Sequence, residues 1–151
     1  MKKLLIAMLA LSLTAAAHAQ VNIRTNQAST GVMVGSYGGG IGGIFSYTAP
    51  IQADGLRRSG LGLLLDGELG GGVSDSNFTM AADIGLNLAF FLNSSNYLYG
   101  GLGLGAQILP GSDFGVSGEI GYRFNVNRTV LFVEGGQHPG SSSYLGVGMR
   151  F

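Results

Sequence analysis

From about residue 30 onward, apolar residues alternate with polar or small ones at a period of two, not the 3.6 of a helix. The longest run sets Phe78, Met80, Ala82, Ile84, Leu86, Leu88 and Phe90 against Thr79, Ala81, Asp83, Gly85, Asn87 and Ala89. That is the pattern of a strand with one apolar face. The same pattern sets Leu61, Leu63, Leu65 and Leu69 against Gly62, Leu64, Asp66, Glu68 and Gly70. It sets Leu98, Leu102, Leu104, Ala106 and Ile108 against Tyr97, Tyr99, Gly101, Gly103, Gly105 and Gln107. Phe114, Val116, Ile120, Tyr122 and Phe124 oppose Gly115, Ser117, Glu119, Gly121 and Arg123, and Leu131 and Val133 oppose Phe132 and Glu134. At the two ends of the series, Val32 and Val34 oppose Met33, Gly35 and Tyr37, and Leu145, Val147, Met149 and Phe151 oppose Tyr144, Gly146, Gly148 and Arg150. A further strand over about 41–48 is irregular, because Ile41, Phe45 and Tyr47 share a parity that Ile44 breaks; one bulge would repair it.

Eight strands result, joined by Gly38–Gly40, a long connection at 49–59, loops at 71–77 and 109–113, turns at 93–96 and 125–127, and a last loop at 137–143. An even number returns both ends of the chain to one side, and the strand lengths suit tilted crossings of an apolar band about 25 Å tall. The expected fold is all-β: an antiparallel eight-stranded transmembrane β-barrel with an up-and-down meander. In such a ring the last strand pairs with the first, so that no backbone edge is left in lipid. A soluble sandwich would need large apolar residues on its inner face. Here that face carries glycines and charges.

The first residues fit a secretory signal peptide, with Lys2 and Lys3 ahead of an apolar run and Ala17-His18-Ala19 as a small-x-small cleavage site. Taking residues 1–19 as the signal leaves 132 of the 151 residues as one barrel domain, 20–151. Both lysines leave with the signal, so six Arg face eight Asp and Glu, a balance that excludes nucleic acid as a partner. There is no Cys and so no disulfide framework. The 28 Gly fall mainly on the non-apolar face, where a narrow lumen or neighbouring aromatics would need room.

That inward face holds the candidate chemistry: Asp66, Glu68, Asp83, Glu119 and Glu134 with only Arg123 and Arg150 to offset them. The excess of carboxylates predicts bound protons, water or a cation. One reading is a structural polar plug that fills an eight-stranded interior; the other is a narrow cation-preferring or proton path. Tyr97 and Tyr99 are expected to cap the lumen, and Phe78, Phe90, Tyr122, Phe124 and Phe151 to form interfacial aromatic girdles. Eight strands leave too little bore for a diffusion pore, and the short, nearly uncharged outer loops disfavour an adhesin. No catalytic residue, metal or cofactor is expected. After residue 18 the chain has one His, His138, which reads as an exposed loop residue near Ser141, Ser142 and Ser143, with Glu134 or Asp113 as conceivable partners.

The terminal alternation through Leu145, Val147, Met149 and Phe151, with the signal peptide and eight alternating segments, resembles the small outer-membrane barrels of the OmpX, opacity-protein and OmpA-transmembrane-domain kind. The resemblance covers essentially the whole mature chain and implies the outer membrane of a double-membraned bacterium, insertion by the barrel-assembly machinery through that terminal strand, and outer-membrane lipid and lipopolysaccharide as neighbours. A monomer and roles from envelope integrity to adhesion follow from it, and it brings no catalytic residues. Some barrels of this size act on lipid A. The outer-membrane deacylases pair a His with a Ser two residues on, but here that position is Gly140, and Pro139 interrupts the strand.

Overall fold

The computed structural model describes residues 28–53, 55–56, 59–75, 77–93 and 95–151. The expected signal peptide at 1–19, the polar stretch 20–27 and the pair Arg57 and Arg58 lie outside the described residues. Eight strands follow in chain order: β1 (Ser29–Tyr37), β2 (Gly40–Ile51), β3 (Leu61–Ser74), β4 (Asn77–Phe91), β5 (Tyr97–Leu109), β6 (Asp113–Val126), β7 (Thr129–His138) and β8 (Ser142–Arg150). Each pairs antiparallel with the next, and β8 pairs antiparallel with β1, which closes the barrel. The seam extends one residue beyond β8: the Phe151 amide donates to the Thr30 carbonyl at 2.9 Å, and the Thr30 amide to the Phe151 carbonyl at 3.2 Å.

Several expected boundaries move. The register of β2 runs unbroken against both β1 and β3, so no bulge repairs the parity at Ile44. Ile44 is simply an inward apolar residue, 5% exposed, packed with Met33, Tyr37, Phe132 and Tyr144. The ladder shift lies instead between β4 and β5, where Met80 pairs with Leu109 and Ala81 with Gln107, leaving Ile108 as the extra residue. β2 continues to Ile51 and shortens the long connection. β3 and β4 continue through the loop expected at 71–77, with Gly71 opposite Met80 and Ser74 opposite Asn77. The turn at 125–127 shifts to Asn127 and Arg128, since Val126 pairs with Thr129. Two residues also suffice between β1 and β2, where Gly38 and Gly39 take φ of +55° and +82°, as a two-residue hairpin demands.

Alternation sorts side chains as the sequence implies. Large apolar residues cover the outside, with Leu102, Phe114, Ile120, Ile41, Leu145 and Val116 among the most exposed. Inside, the glycines make room. A methyl group at Gly121 would lie 2.4 Å from the Tyr99 ring, one at Gly148 2.4 Å from Phe132, and one at Gly70 2.6 Å from both Tyr37 and His138. The lumen therefore holds aromatic rings because bare backbone faces them. Two buried apolar clusters form in it: Met33, Tyr37, Ile44, Phe132 and Tyr144 in one, and Leu64, Ala89, Tyr97 and Tyr99, backed by Phe91, in the other.

Candidate functional site

The acidic residues expected to point inward do so. Asp66, Glu68 and Glu134 are buried, and the side chains of Asp83 and Glu119 are largely so. Asp66 and Glu68 alternate along β3, Glu68 sits opposite Asp83 across the β3–β4 ladder, and Glu119 and Glu134 come from β6 and β7. Arg150 reaches this group from β8. It donates to the Thr48 hydroxyl, which donates in turn to Asp66. Its guanidinium also lies 3.8 Å from Asp66 and 4.0 Å from Glu134, and stacks over the Phe132 ring at 4.7 Å.

Arg123 does not join the carboxylates. It donates to the Tyr97 hydroxyl at 2.9 Å and lies over that ring, so among the described residues Arg150 is the arginine that meets the cluster, at Asp66 and Glu134. Tyr97 and Tyr99 are buried inside the barrel as expected, and the Tyr99 hydroxyl donates to Glu134. Phe78 and Phe90 face outward, Tyr122 and Phe124 stack on each other at 5.4 Å, and Phe151 is half-buried at the seam. Leu145 and Val147 face outward on β8, and Met149 and Phe151 continue that parity, half-buried.

The largest correction concerns His138. It is not an exposed loop residue; it ends β7 opposite Ser142 and is 1% exposed. The chain beyond it, a single 3-10 turn at Pro139–Ser141, packs its proline inward. Gly140 takes φ +76°, a conformation that residues with side chains rarely adopt, and it lies against the Gln107 side chain. His138 Nε2 lies 3.0 Å from Glu68 Oε2, and Nδ1 lies 2.8 Å from the Tyr37 hydroxyl. With Glu68 ionised, Nε2–H donates to Glu68 and the Tyr37 hydroxyl donates to Nδ1. Asp83 Oδ2 stands 3.7 Å from the same Nε2. The Tyr144 hydroxyl lies 3.1 Å from Glu68 Oε2 and 3.2 Å from Glu119 Oε2, and Asn87 donates to Glu119.

One polar network thus runs from Tyr37 through His138, Glu68 and Tyr144 to Glu119 and Asn87. It is incompletely satisfied. Asp66 Oδ2, Glu68 Oε1, Asp83 Oδ2 and Glu134 Oε1 are buried without a hydrogen-bond partner, which is costly for groups shielded from water. Beside them a small cavity is lined by Asp66, Glu68, Asp83, Asn87, Glu119 and Tyr144, with Leu102, Ser117 and glycines of β4–β6 completing its wall. The sequence alone did not single out Tyr37 and Tyr144 as members of this network, or Thr48 beside Arg150, and it set His138 outside. The missed signal was parity, because His138 shares the inward face of Phe132 and Glu134. No protein-family model and no curated protein matches the chain, so the chemistry of the site rests on its geometry.

Proposed function

We propose that the protein is a small outer-membrane barrel with a closed polar interior and a structural role in the envelope, like the OmpX and OmpA-domain barrels it resembles. The observation that carries this reading is the inversion of a soluble protein: a closed ring of strands with Leu102, Phe114 and Ile120 outward, and Glu68, Glu134 and Arg150 inside. A bilayer solvates such an exterior without cost, and closure leaves no unpaired edge within it. The signal-like first residues and the terminal strand support delivery to the outer membrane and insertion by the assembly machinery, with lipopolysaccharide as a neighbour. The shortened outer connections leave little surface for adhesion. Neither ring nitrogen of His138 is free to activate a serine, which argues against a lipid A hydrolase. The test is gel mobility of the outer-membrane fraction with and without boiling in detergent. The folded protein should run apart from the boiled form, and coincident bands with the protein in the soluble periplasm would reject the reading.

The acidic lumen favours a second reading, a narrow cation path. Aromatic and aliphatic side chains at the two apolar clusters, the Tyr97–Tyr99 group and the Tyr37–Phe132–Tyr144 group, count against an open one. The expected result in planar bilayers is no stable conductance. If a cation-selective step appears, Glu119→Gln should abolish its preference, and an unchanged step would remove Glu119 from that role.

A further inference from the structure

We infer that Glu68, Asp83 and His138 form a buried binding site for a divalent transition-metal ion of the zinc class inside the barrel. One donor atom from each of the three residues lies within 4.8 Å of the other two. Zinc bonds of about 2.0–2.1 Å in a tetrahedral shell imply donor separations of about 3.3 Å. The observed distances from His138 Nε2, 3.0 Å to Glu68 and 3.7 Å to Asp83, bracket that spacing. Small side-chain movements would bring all three onto one ion.

The independent sign of a ligand is the state of the carboxylates. Glu68 is buried with Oε1 unpartnered, and Asp83 Oδ2, which faces the imidazole, is buried and unpartnered as well. Nearby Asp66 and Glu134 each hold another orphaned oxygen. Against five lumen carboxylates the described residues set Arg150 and the displaced Arg123, so a dication relieves both the charge and the missing bonds. A small cavity adjoins the site on the Glu68 and Asp83 side.

The imidazole is oriented as a ligand's would be, and metal binding would reverse its tautomer and the direction of its bond to Tyr37. With Nε2 on the metal, the proton resides on Nδ1, and the Tyr37 hydroxyl 2.8 Å away accepts it as a hydrogen bond. Metal-bound histidines are usually oriented in this way. Imidazole with two carboxylates suits zinc and its neighbours, and the three protein donors leave a fourth position open. The site does not depend on where the barrel resides, since all its parts are inside it.

The experiment uses untagged, signal-processed protein, folded in detergent, stripped with a chelator and titrated with Zn2+. One equivalent should bind. His138→Gln and Asp83→Asn should each weaken binding at least about 100-fold, and Tyr37→Phe about 10–100-fold, as loss of an orienting partner does. Exposed Asp113→Asn should change nothing. Folding of each variant is checked by its unheated gel mobility. Because His138 is the one histidine after residue 18, Cu2+ loaded into the wild-type protein provides a readout free of substitutions: coupling to a single imidazole nitrogen in the electron paramagnetic resonance spectrum. Failure of the folded protein to bind Zn2+, an all-oxygen Cu2+ spectrum, or retained binding in a folded His138→Gln or Asp83→Asn variant would each overturn the site.

Discussion

Arg150→Met should destabilise the folded barrel by about 3–5 kcal/mol, the usual cost of removing one partner from a buried ionic group. Arg150 is buried near the end of β8, where it donates to Thr48 and faces Asp66 and Glu134 within 4.0 Å. Methionine fills similar space against Phe132 but leaves those carboxylates with no nearby cation among the described residues. Urea titration of the barrel, followed by the loss of its unheated gel band, reads the change directly. Arg150→Lys should recover part of the loss, because the charge returns without the planar fork. Arg150→Met combined with Glu134→Gln should also recover part, because one uncompensated charge goes with the arginine. A single-variant loss below about 0.5 kcal/mol, the range of a surface substitution, would show that Arg150 does not hold the cluster.

What could be read in advance was parity, and the reason is physical. Every strand of a barrel faces an apolar exterior on one side and a packed lumen on the other, so one period-two rule applies from β1 to β8. It placed Glu134, Arg150 and the outward Leu145 on their proper faces. Strand ends were less legible. β3 and β4 run on through Gly71–Ser74 and Asn77 because Val73 and Phe78 keep their parity and pair across the hairpin, while Gly70–Gly72 just before them carry no apolar signal. Pro139 similarly suggested that β7 stopped early, although a proline just after a strand leaves its ladder intact.

Register around the ring was the part the sequence could not supply. Glu68 and Asp83 neighbour each other through one hairpin, but His138 reaches them from β7, 70 residues after Glu68. That meeting depends on the stagger of eight strands and on glycines such as Gly70, which leave space between Tyr37 and His138. Alternation specifies a face and not a height. The inward set was therefore recoverable, and its division into an Arg150 cluster and a His138 cluster was not.

Leu102→Arg should cost about 2–4 kcal/mol if the outer face lies in lipid, because arginine near the middle of a lipid-facing strand is expensive. Leu102 is 72% exposed, beside Leu86 across the β4–β5 ladder and well inside β5. Phe90→Arg, one residue from the end of β4, should cost only about 0–1 kcal/mol by the same depth rule. Both stabilities are read by urea titration of the folded barrel in lipid vesicles. For a barrel surrounded by water, both substitutions would add a solvated charge and fall within about 0.5 kcal/mol of the parent. A contact with another protein would penalise whichever residue it covered, regardless of depth. The discriminating quantity is therefore the difference between the two sites: a large loss at Leu102 with a small one at Phe90 supports a bilayer, and equal effects would remove the main physical support for membrane insertion.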